Sequence, residues 1–212
     1  MNLLFDLDGT LADPGLGITG SFQKALQSLT GSAPGIEALG WCVGPPLHES
    51  FARLLQTEDE ARIQEAILRY RQFYTSEGIH LASLYPGTLE CLRELKARGH
   101  QLRVATSKPQ PYAERIIQAL GLEPFFLSIH GPAGDNKGHE KAQLIEKILK
   151  TFALRPSDTL MIGDRKHDMI GARSNALHAI GVLWGYGSQE ELLSTGACAC
   201  VKHYPELSAL LA

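Results

Sequence analysis

Asn2-Leu-Leu-Phe-Asp-Leu-Asp-Gly-Thr-Leu11 decides how the rest of the chain is read. An apolar run, Leu3 to Phe5, ends on an acid, Asp6; one residue later comes a second acid, Asp8, then Gly9 and Thr10. Charged groups are almost never buried unpaired. A buried strand with this ending therefore delivers its carboxylates to its carboxyl end, where open α/β sheets bind ligands. Side chains two apart point the same way in an extended segment, and two like charges so placed are costly without a cation beside them. A hard divalent ion such as Mg²⁺, which prefers oxygen ligands, resolves the repulsion. The plain alternative is a surface Asp-Gly turn that closes a strand.

Working outward, Asp13 to Gly20 carries one proline and three glycines and reads as a linker leaving this first strand. Ile18, Phe22, Ala25, Leu26 and Leu29 then recur at helical spacing. Gly44-Pro-Pro-Leu47 reads as a loop, and an apolar stripe from Ile63 to Tyr74 predicts a long helix over 58–77. Nothing between Pro14 and Ala82 reads as a strand, so this stretch is expected to be an inserted, all-helical cap over residues 14–83. Beyond it, strands are expected at 101–105, 125–130, 159–162, 179–183 and 197–201, alternating with helices whose inner faces include Leu92 and Leu95, Ile116 and Ile117, and Leu144, Ile145, Ile148 and Phe152. That alternation predicts an α/β fold, a doubly wound parallel sheet, built from residues 1–13 and 84–212.

Composition bounds the partners. The chain has 212 residues, 44% of them hydrophobic, enough for a real core. A net charge of −3 argues against a nucleic-acid polymer as partner. No apolar run reaches the length of a membrane span, no signal-peptide pattern is present, and four scattered cysteines fit a reducing cytoplasm. Cys198 and Cys200 are read as small core residues rather than zinc ligands, since a lone C-x-C supplies half a zinc site.

Two further strand ends carry polar groups. Thr106-Ser-Lys-Pro109 follows the 101–105 strand, and a hydroxyl with free amides at a helix N-terminus can hold an anion, or can simply cap the helix. Gly163-Asp-Arg-Lys-His-Asp168 follows the 159–162 strand, and the spacing of Asp164 and Asp168 lets both carboxylates face one point. Favourable acids at the positive end of a helix are the alternative reading. Lys141 opens a helix with a good apolar face; with Lys137, Lys147 and Lys150 nearby, count alone does not single it out.

Asp6-Leu-Asp-Gly-Thr-Leu11 resembles the nucleophile motif of the haloacid dehalogenase superfamily, and Thr106, Lys141 and Gly163-Asp164 follow in the order of its remaining motifs. The resemblance covers nearly the whole chain. Gly44-Pro-Pro-Leu47, Ala105-Thr-Ser-Lys-Pro109 and Gly185-Tyr-Gly-Ser188 are similar to the phosphoglycolate phosphatase-like branch, which also holds 5′-nucleotidases. It implies a Mg²⁺-dependent phosphomonoester hydrolase acting on a small phosphorylated metabolite. Asp6 would be the nucleophile and Asp8 the general acid and base. Thr106 and Lys141 would clamp the phosphoryl group, with Gly9, Thr10, Ser107 and Lys108 also at the substrate and Lys137 as the fallback lysine. Mg²⁺ would be held by Asp6, Asp164 and the Asp8 backbone carbonyl, with Asp168 in the outer shell. The rival readings are a 5′-nucleotidase, a β-phosphoglucomutase-like phosphomutase, and a non-catalytic phosphate-binding module. Monomer and homodimer remain equally open.

Overall fold

A computed structural model describes residues 1–133 and 141–212, so Lys137 lies outside the described residues. The chain divides into two compact units, Met1–Asp13 with Leu84–Ala212, and Pro14–Ser83.

The first unit is built on six strands: β1 (Asn2–Phe5), β4 (Gln101–Ala105), β5 (Ser128–His130), β6 (Thr159–Gly163), β7 (His178–Val182) and β8 (Ala199–Val201). Two two-residue strands, β2 (Ala12–Asp13) and β3 (Ser83–Leu84), lie at the boundaries between the units in the sequence. The six strands form one parallel sheet in the order β5-β4-β1-β6-β7-β8. β1 sits between β4 and β6, where the winding direction changes and open α/β sheets place their ligands. Register then sets the site: Phe5 lies opposite both Val104 and Ile162, so the residues just past three strands emerge at one level. Helices α4 (Thr88–Ala97), α5 (Gln110–Ala119), α6 (Lys141–Thr151), α7 (Lys166–Ser174), α8 (Gln189–Thr195) and α9 (Tyr204–Leu210) complete this unit. Leu4, Ala105, Met161 and Ala179 pack under Ile145 and Ile148 of α6, Met169 and Ala172 of α7 and Leu192 of α8. Leu3 and Phe5 alternate to the opposite face and are fully buried too, as a sheet covered on both sides requires.

The second unit is helical: α1 (Gly15–Thr30), α2 (Leu47–Leu55) and α3 (Glu60–Ser76), with two short 3₁₀ segments. Phe22 of α1 meets Phe51 of α2 and Tyr70 of α3, with ring centroids 4.7 and 4.8 Å apart. The Asp59 side chain caps α3 by accepting from the amide of Ala61 at 3.0 Å.

Several sequence expectations need correction. The stretch read as a linker at 13–20 is helical from Gly15 onward. Gly17 is there for packing: a Cβ on it would stand 2.1 Å from the carbonyl oxygen of Gly78. The strand expected at 125–130 begins only at Ser128, because Glu123–Phe125 forms a 3₁₀ turn. Phe152 lies past the end of α6 and is partly exposed; its ring stacks under the Arg103 guanidinium, 4.8 Å from the centroid, instead of entering the core. Cys198 is exposed and meets His178 at 3.2 Å; it is not a core residue. Among the described residues no helix is long and apolar enough to cross a membrane.

Candidate active site

Asp6 follows β1 directly, and its amide donates to the Ile162 carbonyl at 2.9 Å, continuing the sheet by one residue. Its carboxylate accepts from the Leu7 amide at 2.8 Å. The chain then turns sharply: the amides of Thr10, Leu11 and Ala12 all donate to the Leu7 carbonyl, and Gly9 adopts φ +82°. A side chain at Gly9 would stand 2.1 Å from a carboxylate oxygen of Asp164, so only glycine fits there.

Asp164 follows β6 and is fully buried. Carboxylate oxygens of Asp6, Asp164 and Asp168 lie within 4.8 Å of one another. Lys141, at the first turn of α6, reaches into this cluster with a side chain only 2% exposed. Its Nζ stands 2.7 Å from Asp168 and 3.1 Å from Asp6, and donates to the Ala105 carbonyl at 2.8 Å. Asp168 also accepts from the Arg165 amide at 3.2 Å, a bond that fixes the start of α7. Asp8 is half-buried, with one oxygen 2.5 Å from the Lys108 ammonium and the other without a hydrogen-bond partner among the described residues. Thr106 is buried at the end of β4, its hydroxyl accepting from the Lys108 amide at 3.2 Å. Ser107 is exposed beside it. Thr10 is buried, and its hydroxyl reaches Asp164 at 3.5 Å. Asp6, Asp8, Thr10, Thr106, Lys108, Lys141, Asp164 and Asp168 thus converge on one end of the sheet.

The charges explain one another. Burial alone would lower the pKa of Lys141, but Asp168 and Asp6 outweigh it and hold the ammonium charged. Burial, then repulsion from Asp168 and Asp6, pushes Asp164 well above the ordinary carboxylate range; the Tyr186 amide and Arg165 pull the other way without offsetting it. Burial also raises Asp8, against the pull of Lys108. One lysine therefore faces three buried acids, and the set is short of positive charge. A compact cluster of oxygen donors with a charge deficit fits a hard divalent cation, with Asp6 and Asp164 as side-chain ligands. The same deficit fits nothing an apolar or anionic group could supply.

The sequence reading picked out Gly185-Tyr-Gly-Ser188 after β7 but gave it no role at the site. Trp184 Nε1 donates to the Thr10 carbonyl at 2.9 Å, and the Tyr204 hydroxyl donates to the same oxygen at 2.6 Å. The Tyr186 amide donates to Asp164 at 2.8 Å, while its hydroxyl donates to Asp13. The signal available was an aromatic residue between two glycines just past a strand's carboxyl end.

Comparison with known proteins gives the family. A family model described as haloacid dehalogenase-like hydrolase matches residues 3–182. The chain is 42% identical over 193 residues to a 5′-nucleotidase of Pseudomonas aeruginosa, spanning 90% of this chain and 86% of that protein. It is 37% identical over 185 residues to the tyrosine-protein kinase PtkA of Mycobacterium tuberculosis, spanning 87% of this chain and 62% of that protein. A haloacid dehalogenase-like family hydrolase from Streptococcus pneumoniae superposes with a TM-score of 0.90 at 32% identity, covering 100% of this chain and 98% of that chain.

Proposed function

Since the chain belongs to the haloacid dehalogenase-like hydrolase family, we propose that it is a magnesium-dependent phosphatase that cleaves a small phosphomonoester through an aspartyl phosphate on Asp6. One observation carries the reading: Lys141 is buried between Asp6 and Asp168 within a cluster of acids that it does not neutralise. Residues 14–83 are assigned as the cap that selects among esters, and residues 1–13 with 84–212 as the catalytic core.

Phosphate monoesters resist hydrolysis because their oxygens repel a nucleophile and their alkoxide leaves poorly. Asp6, Asp164 and the Asp8 carbonyl would hold Mg²⁺, which would supply charge neutralisation at the phosphoryl oxygens. Lys141 and the Thr106 hydroxyl hold the same oxygens from the protein side. The Asp6 carboxylate attacks phosphorus in line as the bond to the ester oxygen breaks. Asp8 gives its proton to that oxygen, and the alcohol leaves. Asp8 then takes a proton from water, which attacks phosphorus and frees Asp6 with release of inorganic phosphate. Asp168 keeps Lys141 aimed at Asp6 throughout.

Two expected outcomes follow from the roles given to the acids. Asp8→Asn keeps the shape but can neither give nor take the proton, so kcat falls by about 10²–10⁴-fold with a poor leaving group. In kcat/KM, which reports transfer to Asp6 and not the later hydrolysis, the loss is smaller with p-nitrophenyl phosphate, whose leaving group needs no proton; equal losses in kcat/KM on both substrates would remove Asp8 as the general acid. The second outcome concerns pH. Asp164 and Asp8 have folded-state pKa values raised above the ordinary carboxylate value of about 3.9. The folded protein then binds more protons than the unfolded chain, so this contribution is full below about pH 3.9 and is lost as pH rises through the folded values. In EDTA, Tm falls as pH rises above about 3.9 through the raised folded values, and MgCl2 restores it, so the increment due to MgCl2 grows with pH. A thermal-shift series in which that increment stays flat or shrinks would contradict the cation assignment.

A phosphate-release screen over phosphoglycolate, nucleoside monophosphates and sugar phosphates tests the substrate class. Phosphoglycolate is the first expectation. The 5′-nucleotidase reading stands second, favoured by the 42% identity noted above. Release of phosphate without a bisphosphate activator separates hydrolysis from a phosphomutase, and any turnover excludes a purely binding module.

A further inference from the structure

We propose that Tyr186 is a positioning residue that ties cation binding at Asp164 to the chain segment leading into the inserted unit; the inference rests on the magnesium reading above. Tyr186 sits between Gly185 and Gly187, and neither neighbour has room for a side chain. A Cβ at Gly185 would stand 2.3 Å from the Gly9 carbonyl oxygen, and one at Gly187 would stand 2.0 Å from the Asp164 carbonyl oxygen. The loop backbone is therefore pressed onto the Gly9 turn and onto Asp164 itself. From this position the Tyr186 amide donates to one Asp164 oxygen at 2.8 Å, leaving the other facing Thr10 at 3.5 Å. That bond sets which carboxylate edge is presented to a cation.

The side chain of the same residue reaches elsewhere. Its hydroxyl donates to Asp13, the last residue before the inserted unit, and the phenol of Tyr85, the second residue after it, lies nearby. Trp184, two residues earlier, holds the Thr10 carbonyl. One short loop thus joins the turn after β1, the outgoing connector and the acid after β6. Nothing in the chemical steps needs a phenol at Tyr186, since it neither gives nor takes a proton there. Its half-buried hydroxyl bonded to a carboxylate serves geometry: it fixes the rotation of the loop, and so the direction of the amide that orients Asp164. Groups that orient a metal ligand typically change metal affinity by 10–100-fold when removed.

Calorimetric titration of the metal-free full chain with MgCl2 tests this. Tyr186→Phe keeps the amide and the ring but loses the hydroxyl, and is expected to weaken Mg²⁺ binding about 10-fold. Asp13→Ala, which removes the acceptor, is expected to weaken it similarly, and the double variant to be no worse than either single one, because both break the same link. The Tm of the metal-free variants should stay near that of the parent, which separates orientation of the ligand from general destabilisation. Wild-type Mg²⁺ affinity in Tyr186→Phe would overturn the inference while leaving the magnesium reading intact. Absence of Mg²⁺ uptake by the parent protein would overturn both.

Discussion

Asp6→Asn is expected to lower phosphomonoester turnover by about 10⁵-fold or more, the scale on which loss of a covalent nucleophile acts. The substitution is close to isosteric. An amide oxygen can still accept from the Leu7 amide, which the carboxylate meets at 2.8 Å, and can still face Lys141. What it lacks is the anionic oxygen that bonds to phosphorus. The folded state should tolerate the change, because Lys141 keeps its 2.7 Å contact with Asp168 and one negative charge leaves a crowded, buried set of acids. Activity and stability are therefore expected to separate: turnover vanishes while the Tm in EDTA is held or raised. Acid quench of the wild type with a labelled ester should trap label on the protein, and the variant should trap none. Wild-type turnover in Asp6→Asn would remove the covalent mechanism outright. Lost turnover together with a collapsed fold would instead make Asp6 a structural residue.

The sequence and the structure part company in an instructive way. Asp6, Asp8, Thr106 and Asp164 were legible because each stands where an apolar run stops, and such an ending is hard to reconcile with anything but a strand delivering polar groups to its end. The parallel order was legible from alternation of elements, although the register that brings Phe5, Val104 and Ile162 level was not. Lys141 was different. Its residue type and place on a helix do not distinguish it from Lys147 or Lys150, and the family resemblance made the choice; burial against two acids is a property of tertiary packing that no local pattern carries. Tyr186, Tyr85 and Asp13 left no periodic trace either. Asp13 ends β2, Tyr85 follows β3 and Tyr186 lies in the loop after β7, far apart in sequence, and they come near one another only because β7 follows β6 in the sheet while both connectors leave from beside β1. The glycines of α1 misled for the opposite reason. Gly17 occurs in a helix because another backbone passes too close for a side chain, and composition alone reads that as a loop.

Lys141→Met separates the electrostatic account from a packing one. Methionine fills much of the same space but leaves Asp6 and Asp168 buried without their common cation. Breaking one partner out of a buried, hydrogen-bonded ion pair typically costs about 3–5 kcal/mol, so urea unfolding in EDTA near neutral pH should show a loss of that order. The pH dependence then identifies the cause. With the ammonium gone, burial and mutual repulsion hold the remaining carboxyl pKa values above those of the unfolded chain, so the variant binds extra protons when folded. Its deficit should therefore shrink as pH falls through the folded pKa values and be greatest where all the carboxyls are forced to ionise. A loss caused by poor packing would stay constant across the same range. Wild type should show the complementary behaviour at the alkaline end. The Lys141 pKa is raised on folding, so its stabilisation is complete below the ordinary lysine value of about 10.4 and is lost as pH rises beyond it through the folded value. A variant that lacked Lys141 yet matched the wild type in both stability and turnover would leave the acid cluster without the positive charge on which the phosphatase reading depends.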